Sequence, residues 1–284
     1  MTDRPLLTRS EICAAVRALG VRPGGVLMFH TRMSALGHVV GGADSIILAL
    51  QDAVGPQGTL MVLTGWDDDP FELEHWETAR QQAYLRELPA FDPKVSASAR
   101  GMGTLPERLR TWPGALRSDH PECSVAALGP AARHLIHPHP AHDAFGADTP
   151  LSRLVALDGQ VLMLGAPLDT ITLLHHAETV AAAGPKIRVT YRMPVLEGGE
   201  RVWRDFRDIN SSSGAYDYTK LAPAGVDPFE FLARCALSAG VGTAGLVGMG
   251  ESHLFEARAL VRFAVDWLER TFPAHAGLTN PAES

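Results

Sequence analysis

Apolar and polar positions lay out helices and short buried strands from the start of this chain. Thr8-Arg9-Ser10-Glu11 has the T-x-x-E spacing of a helix-capping box. It opens an apolar run of helical periodicity over residues 12–19, which Gly20 stops. Pro23-Gly24-Gly25 marks a turn. Val26-Leu27-Met28-Phe29 then reads as a short strand apolar on both faces, the pattern of a strand inside a sheet. It runs directly into a polar cluster, His30-Thr31-Arg32-Met33-Ser34. Asp44 is placed to cap a helix over residues 45–54, and residues 60–63 form the next buried strand. Strand, helix, strand predicts a parallel pair joined by a right-handed crossover.

The same reading continues to the end of the chain. Residues 124–128 form an apolar strand. Val161-Leu162-Met163-Leu164 is another and ends at Gly165. The turn Ala166-Pro167-Leu168-Asp169 follows, and a helical pattern then carries His175, His176 and Glu178. Two alternating runs, 187–196 and 201–206, flank Gly198-Gly199 and predict a β-hairpin. Residues 229–237 read as a helix, residues 254–268 as an amphipathic closing helix, and residues 274–284 as a frayed tail. Strands interleaved with helices place the chain in the α/β class.

Composition narrows the function. The 284 residues are 46% hydrophobic, enough for a large core. No apolar run approaches the ~20 residues of a membrane span, and MTDRPLLTRSE lacks the apolar core of a signal peptide. Cys13, Cys123 and Cys235 are far apart, with no C-x-x-C, so neither a disulfide framework nor a zinc site is expected. Together these features point to a cytoplasmic protein. The net charge of −7 argues against a nucleic-acid partner and suits a cationic small molecule.

Several motifs carry candidate chemistry. Open α/β sheets place their sites just beyond strand C-terminal ends, which is where His175 and Glu178 fall. Three residues apart on a helix, they share a face, and His176 points about 100° away. A histidine held by a carboxylate is a general base suited to neutral pH. Trp66-Asp67-Asp68-Asp69 ends the second strand, with Glu72 and Glu74 close behind. Residues 94–110 lead through glycines into a helical turn whose N–H groups, with Lys94 and Arg100, are suited to phosphate. Ser118-Asp119-His120 cannot form a hydrolase triad, whose members come from distant segments, and no G-x-S-x-G occurs. His134, His137, His139 and His142 are dense but interrupted by Pro138 and Pro140, so they predict a stiffened loop rather than a metal site. Gly240-Val241-Gly242-Thr243-Ala244-Gly245 follows a helix rather than a strand and is not a dinucleotide fingerprint.

Six segments, residues 29–50, 58–66, 95–110, 117–129, 157–178 and 247–268, include the H-P-x-x-S and T-x-L-H-x-A-E elements. Together they resemble the aminoglycoside 3-N-acetyltransferase family. The resemblance implies a single domain over residues 1–284, three-layer α/β/α around a central, largely parallel mixed sheet, with an added β-hairpin region. It implies acetyl transfer from acetyl-CoA to the 3-amino group of a 2-deoxystreptamine ring, directly and without a metal, as a monomer or homodimer. An alternative is acetylation of another amine on the same scaffold. His175 would be the base and Glu178 its partner. The N-terminal half would serve coenzyme A, through His30, Thr31, Arg32, Met33, Ser34, Val95, Ser96, Gly103 and Thr104. Residues 130–220 would mainly serve the antibiotic, whose ammonium groups would meet Trp66, Asp67, Asp69, Asp143, Glu178, Asp208 and Asn210. One departure stands out: Asn210-Ser211-Ser212-Ser213 occupies a stretch where many relatives carry carboxylates.

Overall fold

The computed structural model describes residues 4–67, 73, 75–212, 214–220, 222–223 and 225–274. Asp68, Asp69, Glu72, Glu74, Ser213 and the tail beyond Ala274 lie outside the described residues. The first half runs β1 (Leu6–Leu7), α1 (Arg9–Leu19), β2 (Val26–Thr31), β3 (His38–Val39), α2 (Gly42–Val54), β4 (Thr59–Leu63), α3 (Thr78–Glu87), α4 (Thr104–Arg110), β5 (Leu116–Arg117) and β6 (Val125–Leu128). The second half runs α5 (Ala132–Ile136), α6 (Pro150–Ala156), β7 (Gln160–Leu164), α7 (Leu173–Val180), β8 (Arg188–Glu197), β9 (Glu200–Ile209), α8 (Pro228–Ser238), β10 (Thr243–Val247), β11 (Gly250–Glu256) and α9 (Ala257–Thr271).

Period-two alternation in the central strands builds the three layers. Leu27, Phe29, Leu60, Val62, Leu162 and Leu164 pack against α1, α2 and α4 on one face of the sheet. Val26, Met28, Met61, Val161 and Met163 pack against α5 to α9 on the other. Each fully buried aliphatic side chain contributes roughly 1.5–3 kcal/mol, so both faces must be covered for the sheet to persist. The β8–β9 hairpin stands apart and packs Met193, Val195 and Phe206 against Trp66, Leu88 and Phe91. The capping box at Thr8 forms as the sequence predicts.

Among the described residues the main sheet has the order β10-β11-β7-β2-β4-β6-β5. The α/β class and the parallel β2–β4 pair hold. The sheet is nevertheless less parallel than expected, because only β7–β2 and β2–β4 are parallel pairs. β11–β7, β10–β11, β4–β6 and β5–β6 are antiparallel. Part of this difference comes from residues 254–256, which belong to β11 and not to the closing helix. There Leu254 faces one layer and Phe255 the other, so the run is apolar on both sides and gives no clean strand signature. Asp44 is not a cap either. Gly41, at φ 78°, caps α2, and Asp44 sits in the first turn with Arg108.

The parallel trio β7-β2-β4 is what positions the chemistry. Their C-terminal ends, at Leu164, Thr31 and Leu63, point the same way, and the polar turns that follow them gather at one edge of the sheet.

Candidate active site

β7 ends at Gly165, and the chain turns through Pro167 into a single 3-10 turn, Leu168–Thr170, before α7 begins. His175 and Glu178 lie on one face of α7. The His175 Nδ1 to Glu178 Oε2 distance is 2.7 Å. The Glu178 side chain is 1% exposed, and its other oxygen accepts hydrogen bonds from the Ala215 N–H at 3.1 Å and the Tyr218 hydroxyl at 2.6 Å. Burial and the Glu178 charge push the Tyr218 hydroxyl well above its ordinary range, so it remains a donor. With Nδ1 donating to Glu178, Nε2 keeps its lone pair. Phe145 lies stacked on the His175 ring at 5.1 Å between centroids, and Phe229 is tilted against it at 4.7 Å. His176 turns inward, away from both, and donates to the Phe145 carbonyl.

His175 opens into a cleft of about 290 Å³ lined also by Asp169, Ser211, Ser212, Tyr218 and Asp227. Burial, then the charges of Asp227 and Glu230, raise the Asp169 carboxyl above its ordinary value. A second cleft, about 280 Å³, lies across the Leu168–Thr170 turn. His30, Thr31, Arg32, Gly103, Thr170 and Thr172 are among its lining. Nε2 of His30 and Oγ1 of Thr31 are shielded from solvent, and neither has a hydrogen-bond partner among the described residues. Burial lowers the His30 imidazole to about 4, so it is neutral near pH 7.

Of the residues singled out by sequence, His175 and Glu178 are brought together, and His30, Thr31, Arg32 and Gly103 share the second cleft. Met33 and Ser34 lie in the 3-10 turn Met33–Ala35 that follows β2, and Thr104 opens α4. Val95 and Ser96 sit instead in a third cleft with Trp66, Asp67 and Arg100. Asp67 is occupied by Arg100, and Asp143 by Arg188. Asp208 is 3% exposed and accepts from Ala144 and Tyr191. Asn210 accepts from the Ser212 N–H. Sequence reasoning missed Asp169, Asp227, Tyr218, Phe145 and Phe229. Asp169 was in plain view as a turn residue, but nothing local marks the others.

His120, Cys123 and Asp208 place ligand-type atoms within 4.8 Å of one another. His120 Nδ1 accepts the Cys123 N–H at 3.0 Å. That bond puts the imidazole proton on Nε2, the atom a metal would need. That Nε2 has no hydrogen-bond partner among the described residues and lies 3.8 Å from Asp208 Oδ2.

The family model for aminoglycoside 3-N-acetyltransferase matches residues 28–269. The chain belongs to the aminoglycoside 3-N-acetyltransferase family. It is an acyltransferase, as its relatives are. Aminoglycoside N(3)-acetyltransferase VII of Streptomyces paromomycinus is 50% identical over 277 residues, 97% of this chain and 96% of the relative. Among solved structures, aminoglycoside acetyltransferase AAC(3)-Xa superposes with a TM-score of 0.92 at 50% identity, covering 94% of each chain. AAC-IIIb with CoASH gives 0.87 at 36%, covering 96% of this chain and all of that one. AAC-VIa bound to sisomicin gives 0.87 at 38%, covering 95% of this chain and all of that one. Across the family's span the chain supplies the parallel trio β7-β2-β4, both clefts and the His175–Glu178 pair.

Proposed function

We propose that this enzyme moves the acetyl group of acetyl-CoA to the 3-amino group of the 2-deoxystreptamine ring of an aminoglycoside. The observation that carries the reading is the His175–Glu178 pair, with His175 opening into one cleft and a second cleft lying across the Leu168–Thr170 turn. The thioester lies in the His30–Thr170 cleft and the antibiotic in the His175 cleft. CoASH bound to AAC-IIIb and sisomicin bound to AAC-VIa support a coenzyme A thioester and an aminoglycoside as the two ligands. Only the unprotonated amine is a nucleophile, and as its nitrogen attacks the thioester carbon His175 Nε2 accepts the proton that the nitrogen sheds. Glu178 stabilises the imidazolium that forms. The carbon–sulfur bond then breaks, and coenzyme A leaves as the thiolate, which takes up a proton. On this reading transfer is direct, and Cys123 is unsuited to hold an acyl group because it is buried and burial raises its thiol well above the ordinary value. The unpartnered Thr31 hydroxyl, and His30 Nε2 in the tautomer that carries its proton there, suit the charge that develops on the thioester oxygen.

The neutral Asn210–Ser212 stretch does not leave the antibiotic's cleft without acid. Asp169 and Asp227 line it as well, Asp227 while also capping α8 through Oδ1, and their carboxylates suit ammonium groups. A thiol-release assay across an aminoglycoside panel, with products mapped by NMR, tests the reading. Coenzyme A release should require a 2-deoxystreptamine compound, and the new amide should form at N3. His175→Ala should lower turnover by about 10²- to 10⁴-fold and leave coenzyme A binding and the fold intact. Near-parent rates in that variant, or acetylation at another amine, would overturn it.

A further inference from the structure

Three polar side chains, each at least nine-tenths buried, converge on one dipeptide. Asp208, from β9, accepts the Ala144 N–H at 2.7 Å. His139, from the loop between α5 and α6, lies 3.1 Å from the Ala144 carbonyl through Nε2. His176, from α7, lies 2.6 Å from the Phe145 carbonyl through Nδ1. Proton positions follow from the rest of the network. Ser118 Oγ accepts the Val125 N–H at 2.9 Å and so points its own hydrogen at His139 Nδ1, 2.9 Å away. His139 therefore carries its proton on Nε2 and donates it to Ala144. Burial holds His139 down at about 3 and lowers His176 as well, so both are neutral and keep their tautomers.

None of the three lines either cleft. A buried polar group is costly unless it is hydrogen-bonded, and a simple loop could be held by apolar packing alone. What this dipeptide carries is the Phe145 ring, stacked on His175 with an interplanar angle of 28°. We infer that Asp208, His139 and His176 are positioning residues that hold Ala144–Phe145 so that Phe145 sets the plane of the His175 ring. Glu178 fixes one ring nitrogen but leaves the imidazole free to tilt about that bond. Phe229 is tilted against the ring, so it is the near-parallel face of Phe145 that opposes this tilt. The inference rests on His175 being the base. It gives the histidine run at 134–142 a task through His139 alone, and moves Asp208 from the antibiotic to the base.

Kinetics of Phe145→Leu, His139→Leu and His139→Gln decide it, with His175→Ala alongside and active sites counted by coenzyme A binding. Phe145→Leu should lower kcat about 100-fold, the size expected for a slightly misdirected catalytic group. KM for both substrates should stay within about twofold, because neither cleft is altered. His139→Leu should behave alike, while His139→Gln, whose carboxamide can still donate to Ala144, should return to within about threefold of the parent. A role confined to stability would lower the thermal midpoint and leave kcat per active site unchanged. The inference is overturned if folded Phe145→Leu keeps parent kcat, or if His139→Gln is as impaired as His139→Leu. Should His139→Leu not fold, Phe145→Leu decides alone. If His175→Ala itself turns over normally, the base assignment fails; if only His175→Ala is impaired, the positioning role fails alone.

Discussion

Tyr218 and Glu178 share a short hydrogen bond that ties the base to a segment 40 residues further along the chain. Removing that hydroxyl leaves Glu178 Oε1 with the Ala215 N–H as its remaining partner among those described. Tyr218→Phe should lower kcat about tenfold, or ~1.4 kcal/mol, at the low end for a hydrogen bond to a charged group. Initial rates at saturating substrates would measure it, and parent kcat would show that the carboxylate is held well enough without it. The spacing of His175 and Glu178 was legible because helix geometry alone brings i and i+3 together. Tyr218 was not, because a Tyr-Asp-Tyr loop carries no period that ties it to α7. Asp67, Asp143 and Asp208 illustrate the opposite difficulty. A carboxylate at a strand end reads as available for substrate, yet Arg100, Arg188 and the buried Ala144–Tyr191 pair already occupy them.

Elements meet closely at Gly165, where β7 gives way to the turn between the clefts. Its φ is +62°, and an added Cβ would lie 2.8 Å from Leu36 Cδ2 and 3.2 Å from Ala35 Cβ. Gly165→Ala should therefore destabilise the fold by about 1–3 kcal/mol through backbone strain and crowding. A thermal midpoint lowered by several degrees would report it, and an unchanged midpoint would mean that the turn after β2 yields freely. The same end of β7 was readable as a strand followed by a glycine stop. So were α1, β2, β4 and the hairpin, where period and punctuation agree. β11 was not. Its residues point into two different apolar layers, and the helix that follows immediately lends them its own pattern.

For the molecule as a whole, the α/β class followed from interleaved strands and helices, but strand direction did not. An apolar run is the same pattern whichever way it enters a sheet, so the antiparallel flanks were invisible. The assembled interior also sets a response to acid. Burial lowers His30 to about 4, His139 to about 3, and also His120 and His176. An unfolded histidine binds its proton near pH 6.5, so below that pH the unfolded state gains protons that the folded state refuses. Stability is fully present above about 6.5 and falls as pH drops toward the folded values, by on the order of 1 kcal/mol per pH unit for each histidine in its window. Asp208, raised by burial, carries the opposite sign, over a window that runs from its raised value down to the ordinary carboxylate value. Denaturant midpoints should therefore decline from pH 7.5 to pH 5, and a flat profile would mean that these rings gain solvent on protonation. The Leu168–Thr170 turn has a consequence for inhibitor chemistry. Asp169 faces one cleft and its neighbour Thr170 the other, so a short tether over that turn lets one molecule fill both. Its second half then binds at an effective concentration of about millimolar, however dilute the compound.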